Sequence, residues 1–158
     1  MAIDCFIKFD GVTGESTNKD HKGEIDVVSW NWSATNTLPP ASGGVGVGKS
    51  VPGPFSFQHQ YDKASPALGK YAASGKFFKQ VCLTARKAGE GQKDFLKITM
   101  KEVLVTSVLV DASGDGGVHE SVSLAYRDID FAYKPQDAKG ALGPAATFGW
   151  DTAKNIVR

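Results

Sequence analysis

Little in this chain points to chemistry carried by rare side chains. Cysteine is scarce: Cys5 and Cys82 are the only two in 158 residues. They sit in strand-like runs rather than at metal or redox spacing, which excludes a disulfide framework and leaves two reduced thiols in packing. Net charge is nearly absent as well. With 18 Lys plus Arg against 17 Asp plus Glu, a formal charge of +1 gives no electrostatic reason to bind nucleic acid or an anionic membrane. No apolar run approaches membrane-spanning length, so membrane insertion is not expected. The start MAIDCFIKFD has neither a basic n-region nor a long apolar stretch, so the chain is expected to be made soluble in the cytoplasm and to leave, if it leaves, without a cleaved signal.

What is present favours β-structure. The length suits one domain, 1–158, with enough buried surface for a core without staples, and 18 Gly with 7 Pro supply many turns. Ile3, Cys5, Ile7 and Phe9 share one face of a first strand. In GESTNKDHKGEIDVVSWNW, residues 14–32, a polar turn feeds a second strand. There Val28, Trp30, Trp32 and Ala34 form a dry face, and Ser29, Asn31 and Ser33 a wet one. Residues 36–54 are too rich in Pro and Gly to hold a regular element, and their length marks a functional loop. The chain returns as Phe55, Phe57, His59 and Tyr61, again alternating with polar residues.

One helix is expected over about residues 63–74, where Ala64, Ala67, Leu68, Tyr71 and Ala72 make a single apolar stripe. Asp62 or Ser65 can cap its start, Pro66 fits its first turn, and Gly75 suits a left-handed stop. Further strands are expected over 77–86, 95–110, 118–133 and 146–150. Two of these change phase: Leu96, Ile98 and Met100 give way to Val103 and Val105 across Lys101 and Glu102. Likewise Val122, Leu124 and Tyr126 give way to Ile129, Phe131 and Tyr133 across Arg127 and Asp128. A bulge in each would let a barrel close.

The motif GGVGVGKS, residues 43–50, satisfies the phosphate-loop spacing. A phosphate loop leaves a buried strand and opens a helix, whereas here Pro39 and Pro40 precede the glycines, and Val51, Pro52, Gly53 and Pro54 follow. Asp111 in VLVD imitates a magnesium carboxylate but leads into a turn. His21, His59 and His119 lie in separate segments without ligand spacing, so no metal site is expected, and His59 reads as a hydrogen-bonded core or interface imidazole. Arg86, Lys87, Lys93, Lys97 and Lys101 read as a solvated face. No nucleophile elbow is present. With no acid, base, metal or cofactor constellation, a structural or binding role is expected rather than an enzyme.

Six segments in order, AIDCFIKFDGVTGES, KDHKGEIDV, DKASP, ARKAGEGQKDFLKITMKEVLVTSV, ESVSLAY and FGWDTAKN, together resemble the Hcp family, the tube-forming protein of bacterial type VI secretion. The resemblance implies a mainly β fold, a compact two-sheet β-barrel with one short flanking helix and a long loop after the tryptophan strand. It implies six copies closing a ring and rings stacking into a tube of Gram-negative bacterial origin. The implied partners are the chain itself, a contractile sheath, tip spike proteins and effector toxins carried in the lumen, and no cofactor is implied. On this reading the outward Ser29, Asn31 and Ser33 face the lumen. Ser42, Gly43, Gly44, Val45, Gly46, Val47, Gly48 and Lys49 belong to a ring-stacking loop. The rival readings are a stand-alone β-barrel binding module and a phosphate-loop nucleotide-binding protein.

Overall fold

The computed structural model describes residues 2–37, 49–89 and 91–158. These form twelve strands and one helix. The strands are β1 (Ile3–Phe9), β2 (Ile25–Val27), β3 (Ser29–Asn31), β4 (Ala34–Asn36), β5 (Ser50–Pro52), β6 (Phe55–Gln60), β7 (Phe77–Lys87), β8 (Asp94–Ser113), β9 (Gly117–Ala125), β10 (Asp128–Tyr133), β11 (Ala146–Asp151) and β12 (Ile156–Val157). The helix, α1 (Ser65–Ser74), lies between β6 and β7.

All strand pairs are antiparallel, and the pairing runs in a circuit. β1 pairs with β7, β7 with β8, β8 with β9, β9 with β6, and β6 with β3. β3 continues from β2, which pairs with β1. One sheet of ten strands thereby wraps round its own core, with β10–β11–β12 extending from β8 and β4–β5 forming a separate two-stranded sheet. The crossing from one wall to the next occurs at Val28, whose N–H donates to the Gln58 carbonyl at 2.8 Å. That corner corrects the expected alternation. Val28 is 66% exposed and lies between strands, Ala34 is exposed, and only Trp30 and Trp32 pack against the core.

Inside the circuit, Phe9, Phe55, Phe57, Leu83, Met100, Leu124 and Ile129 are essentially solvent-free. Burial of such side chains contributes roughly 1.5–3 kcal/mol each and dominates the stability of the fold. The first strand is buried on both faces at its centre, because Phe6 as well as Ile7 is covered. Ile3, expected on the dry face, is exposed, as is Tyr61 beyond the end of β6.

The phase changes mark a crease. In β8 the buried parity passes from Met100 to Val103 at Glu102, which takes a left-handed backbone with φ of 51°. β7 passes from Phe78 to Val81 at the same level, and the third strand breaks at Tyr126–Arg127 into β9 and β10. Register is unchanged across the crease: Phe78↔Val103 and Gln80↔Lys101 on one side, Leu104↔Ala125 and Lys101↔Asp128 on the other. The expected bulge in residues 118–133 is therefore an interruption, matched in its neighbours so that the sheet bends there without slipping. The irregularity expected in β8 at Lys101–Glu102 lies further along, where the register against β9 shifts between Val105 and Ser107.

Beyond its first turn the helix follows its sequence signals. The Ala64 N–H donates to Asp62 Oδ1 at 2.9 Å and the Asp62 N–H to Ser65 Oγ at 3.0 Å, which closes the turn before the helix. The N-cap itself is Ala64, with no side-chain cap bond, so the expected capping by Asp62 or Ser65 is corrected. Gly75, at φ of 71°, closes the last turn by donating to the Tyr71 carbonyl. Leu68 and Ala64 are fully buried, and Tyr71 stacks on Phe78 at 3.9 Å between ring centroids.

Candidate assembly surfaces

Ser29 and Asn31 are exposed on the outer side of β3, opposite the half-buried Trp30, which stacks on Phe55 at 5.7 Å. Pairing extends their polarity over three strands. Ser29 is opposite Gln58, which is opposite Ser121, and Asn31 is opposite Ser56, which is opposite Ser123. Ser56 Oγ and Ser123 Oγ are 3.0 Å apart, and Ser29 Oγ donates to Gln58 Oε1 at 3.4 Å. These two rows contain no ionisable side chain. The alternation in β6 and β9 carries this stripe in the sequence, but only the register shows that Ser56, Gln58, Ser121 and Ser123 join Ser29 and Asn31. Ser33 is exposed but lies past the end of β3, where its carbonyl accepts the Gly53 N–H at 2.7 Å.

Ser33 thus belongs to the base of the long loop. That base is ordered by β4 and β5, with Ala34↔Pro52, Thr35↔Val51 and Asn36↔Ser50 in register, so the expectation of no regular element there is corrected. Three-residue strands leave almost no periodic trace, and their pairing is set by the loop closing on itself. Trp32 Nε1 donates to the Tyr126 hydroxyl at 2.5 Å, and that hydroxyl donates to the Gly53 carbonyl at 2.7 Å. Trp32 also packs on Phe131 at 4.8 Å. A side chain at Gly53 would come within 2.6 Å of the Ser33 carbonyl oxygen, so the close approach of the two stems requires glycine. Ser42, Gly43, Gly44, Val45, Gly46, Val47 and Gly48 lie outside the described residues. Lys49 is exposed and leads into strand β5 rather than a helix, so the helix N-terminus and dipole that a phosphate loop needs after its lysine are not there.

The polar turn, residues 14–24, is fastened to the barrel by charge. His21 stacks on Phe6 at 4.6 Å, and its two ring nitrogens contact Glu24 Oε2 at 2.8 Å and Asp94 Oδ1 at 2.9 Å. Arg86 reaches the same Asp94 at 2.8 Å and Asp20 at 3.0 Å. Burial alone would raise the Asp94 carboxyl, but hydrogen bonds from His21 and Arg86 hold it below the usual carboxylate range. Arg86 is 7% exposed, so it is a buried anchor and not part of a solvated face. Lys97 and Lys101 are exposed as expected. His59 is buried with Nε2 2.7 Å from Glu120 Oε1, while His119 Nε2 lies 2.7 Å from the Gly116 carbonyl. Cys5 and Cys82 are free thiols pushed up by burial.

The class these features define is a mainly β barrel protein with a polar outer stripe and a separate two-stranded ribbon. The family model described as type VI secretion system effector, Hcp, matches residues 6–133. The chain is 41% identical to protein hcp1 of Pseudomonas aeruginosa over 160 residues, covering 99% of each chain. It superposes on the crystal structure of Hcp1 from Salmonella typhimurium with a TM-score of 0.83 at 35% identity, covering 100% of both chains. A structure titled as a type six secretion system protein gives a TM-score of 0.92 at 28% identity, over 99% of this chain and 100% of the other. The chain belongs to the Hcp family of type VI secretion proteins. Membership carries tube assembly by self-association, and export. Among the described residues no helix is long and apolar enough to cross a membrane.

Proposed function

We propose that the protein is the structural subunit of the type VI secretion tube, a single Hcp-like domain over residues 1–158 that acts mechanically and not as an enzyme. Six copies close a ring, rings stack inside a contractile sheath behind a tip spike, and contraction expels the tube from a Gram-negative cell. Effector toxins travel in the lumen. The observation that carries this reading is the uncharged polar stripe of Ser29, Asn31, Ser56, Gln58, Ser121 and Ser123 on the outside of one barrel wall. Small donors and acceptors without charge suit a wet channel that holds varied cargo without trapping any of it.

The test is substitution within the stripe. Asn31→Gln or Asn31→Arg leaves the ring mass unchanged in light scattering and alters the retention of at least one co-expressed small effector. If Asn31→Arg instead abolishes the ring while cargo binding persists in the residual protein, the stripe is a subunit contact and the lumen assignment fails.

A further inference from the structure

His59 is fully buried, yet one of its ring nitrogens has no hydrogen-bond partner among the described residues. On β6 it stands directly opposite Glu120 of β9, and its Nε2 lies 2.7 Å from Glu120 Oε1, with both side chains closed to solvent. Its Nδ1 makes no hydrogen bond. Asp62 Oδ1 lies 4.0 Å from that nitrogen, just outside hydrogen-bond reach. A buried polar atom left over in this way is uncommon in a folded chain and needs a physical account.

The surroundings are anionic. Glu120 comes from β9 and Asp62 from the segment that leads into α1. Glu15, in the polar turn, accepts the Lys63 backbone N–H at 2.8 Å. Burial pushes the Asp62 carboxyl up, and the charge of Glu15 adds to the rise. From β6 the neighbour is the Phe57 ring, 5.5 Å away between centroids, and from β8 the residue opposite Glu120 is Val110, so neither brings charge. His119 is paired with Gln60 and belongs to the opposite face of β9 by alternation. Among the described residues no lysine or arginine forms an ion pair with Glu120, Asp62 or Glu15.

Hydrogen-bond counting gives the consequence. A carboxylate only accepts, so Nε2 donates to Glu120, and in the neutral ring Nδ1 is a bare lone pair beside a second acceptor. Both contacts are satisfied together only when one more proton enters, taken from water and held between Nδ1 and Asp62 Oδ1. Whichever atom carries it, two facing acceptors become a donor and an acceptor. What the proton joins is the entrance of the helix. Asp62 Oδ1 already accepts the Ala64 N–H at 2.9 Å, and the Tyr61 N–H donates to the Val118 carbonyl at 2.9 Å, so residues 61–65 bridge β9 and α1.

We infer that His59 is a proton-operated latch: with one proton added between Nδ1 and Asp62, the imidazole ties Glu120 on β9 to the entrance of α1, and without it the Asp62 arm stands open. The inference rests on this buried contact and not on the ring-and-tube reading.

The latch is read by amide exchange on the intact protein between about pH 8 and pH 6, a span that brackets the ordinary histidine range, with protection corrected for the intrinsic effect of pH. In the wild type, protection at Ala64, Ser65 and Leu68 should rise severalfold at the lower pH. Asp62→Asn keeps an oxygen for the Ala64 N–H but removes the titrating partner, and the rise should vanish. His59→Gln should lose it too; if that buried substitution prevents folding, Asp62→Asn decides alone. Equal protection at both pH values in the wild type overturns the latch. So does a rise that persists in Asp62→Asn, as it would if His21 or His119 were its source.

Discussion

Asp94 is the residue through which the outer layer of the barrel responds to acid. Its carboxyl is held below the usual range by His21 and Arg86, so it contributes stability that is present above the unfolded value of about 3.9 and lost as pH falls through the lower folded value. Asp26 and Asp62 are raised and act with the opposite sign, since the folded chain takes up their protons first. Asp94→Asn should therefore flatten the acid limb of stability, read from urea midpoints between about pH 6 and 3; an unchanged limb would remove the clamp from the account. Trp30→Ala should cost roughly 2–3 kcal/mol, less than for a fully buried ring because Trp30 is only half covered, as measured by chemical denaturation. The tryptophan was legible from alternation. The clamp was not, because His21 and Asp94 are 73 residues apart and nothing in local spacing reports a contact made by folding a turn over Phe6.

Among the elements, the loop base offers the sharpest contrast between what the chain announces and what it hides. Two phase changes in the apolar pattern located the crease in β8 and the β9–β10 break, since parity is fixed by burial on one side. The third, in β7, leaves no trace in the pattern because Lys79 and Gln80 are polar on either parity. The ribbon β4–β5 was hidden by its proline and glycine content, although Trp32 and Tyr126, which fasten it, are plain in the sequence as aromatics. Tyr126→Phe leaves the Trp32 N–H and Gly53 carbonyl without their shared partner and should destabilise the subunit by roughly 1–2 kcal/mol. The ring should survive that change while stacking weakens. Shortening residues 42–48 should likewise spare the ring and weaken the tube; secretion at the wild-type level in the native host would show that the loop is dispensable.

For the whole molecule the first measurement is native mass, where six subunits are expected and a monomer at micromolar concentration and moderate salt would contradict the assembly. Lys49→Ala should fold normally, and neither it nor the wild type should bind ATP or GTP with magnesium in a saturable way. A saturable affinity lost in the variant would reinstate the nucleotide reading. The crease has its own consequence for which changes in chain length the barrel can accept. Because Phe78, Val103 and the Ala125–Asp128 junction turn the sheet at one level while keeping register, deleting Glu102 alone would slide half of β8 by one step against both neighbours. Single-residue insertions and deletions at the crease are thus tolerable only as matched sets in three strands, so natural length variation should gather in the loop at residues 42–48 and be missing from residues 78–81, 100–103 and 125–129.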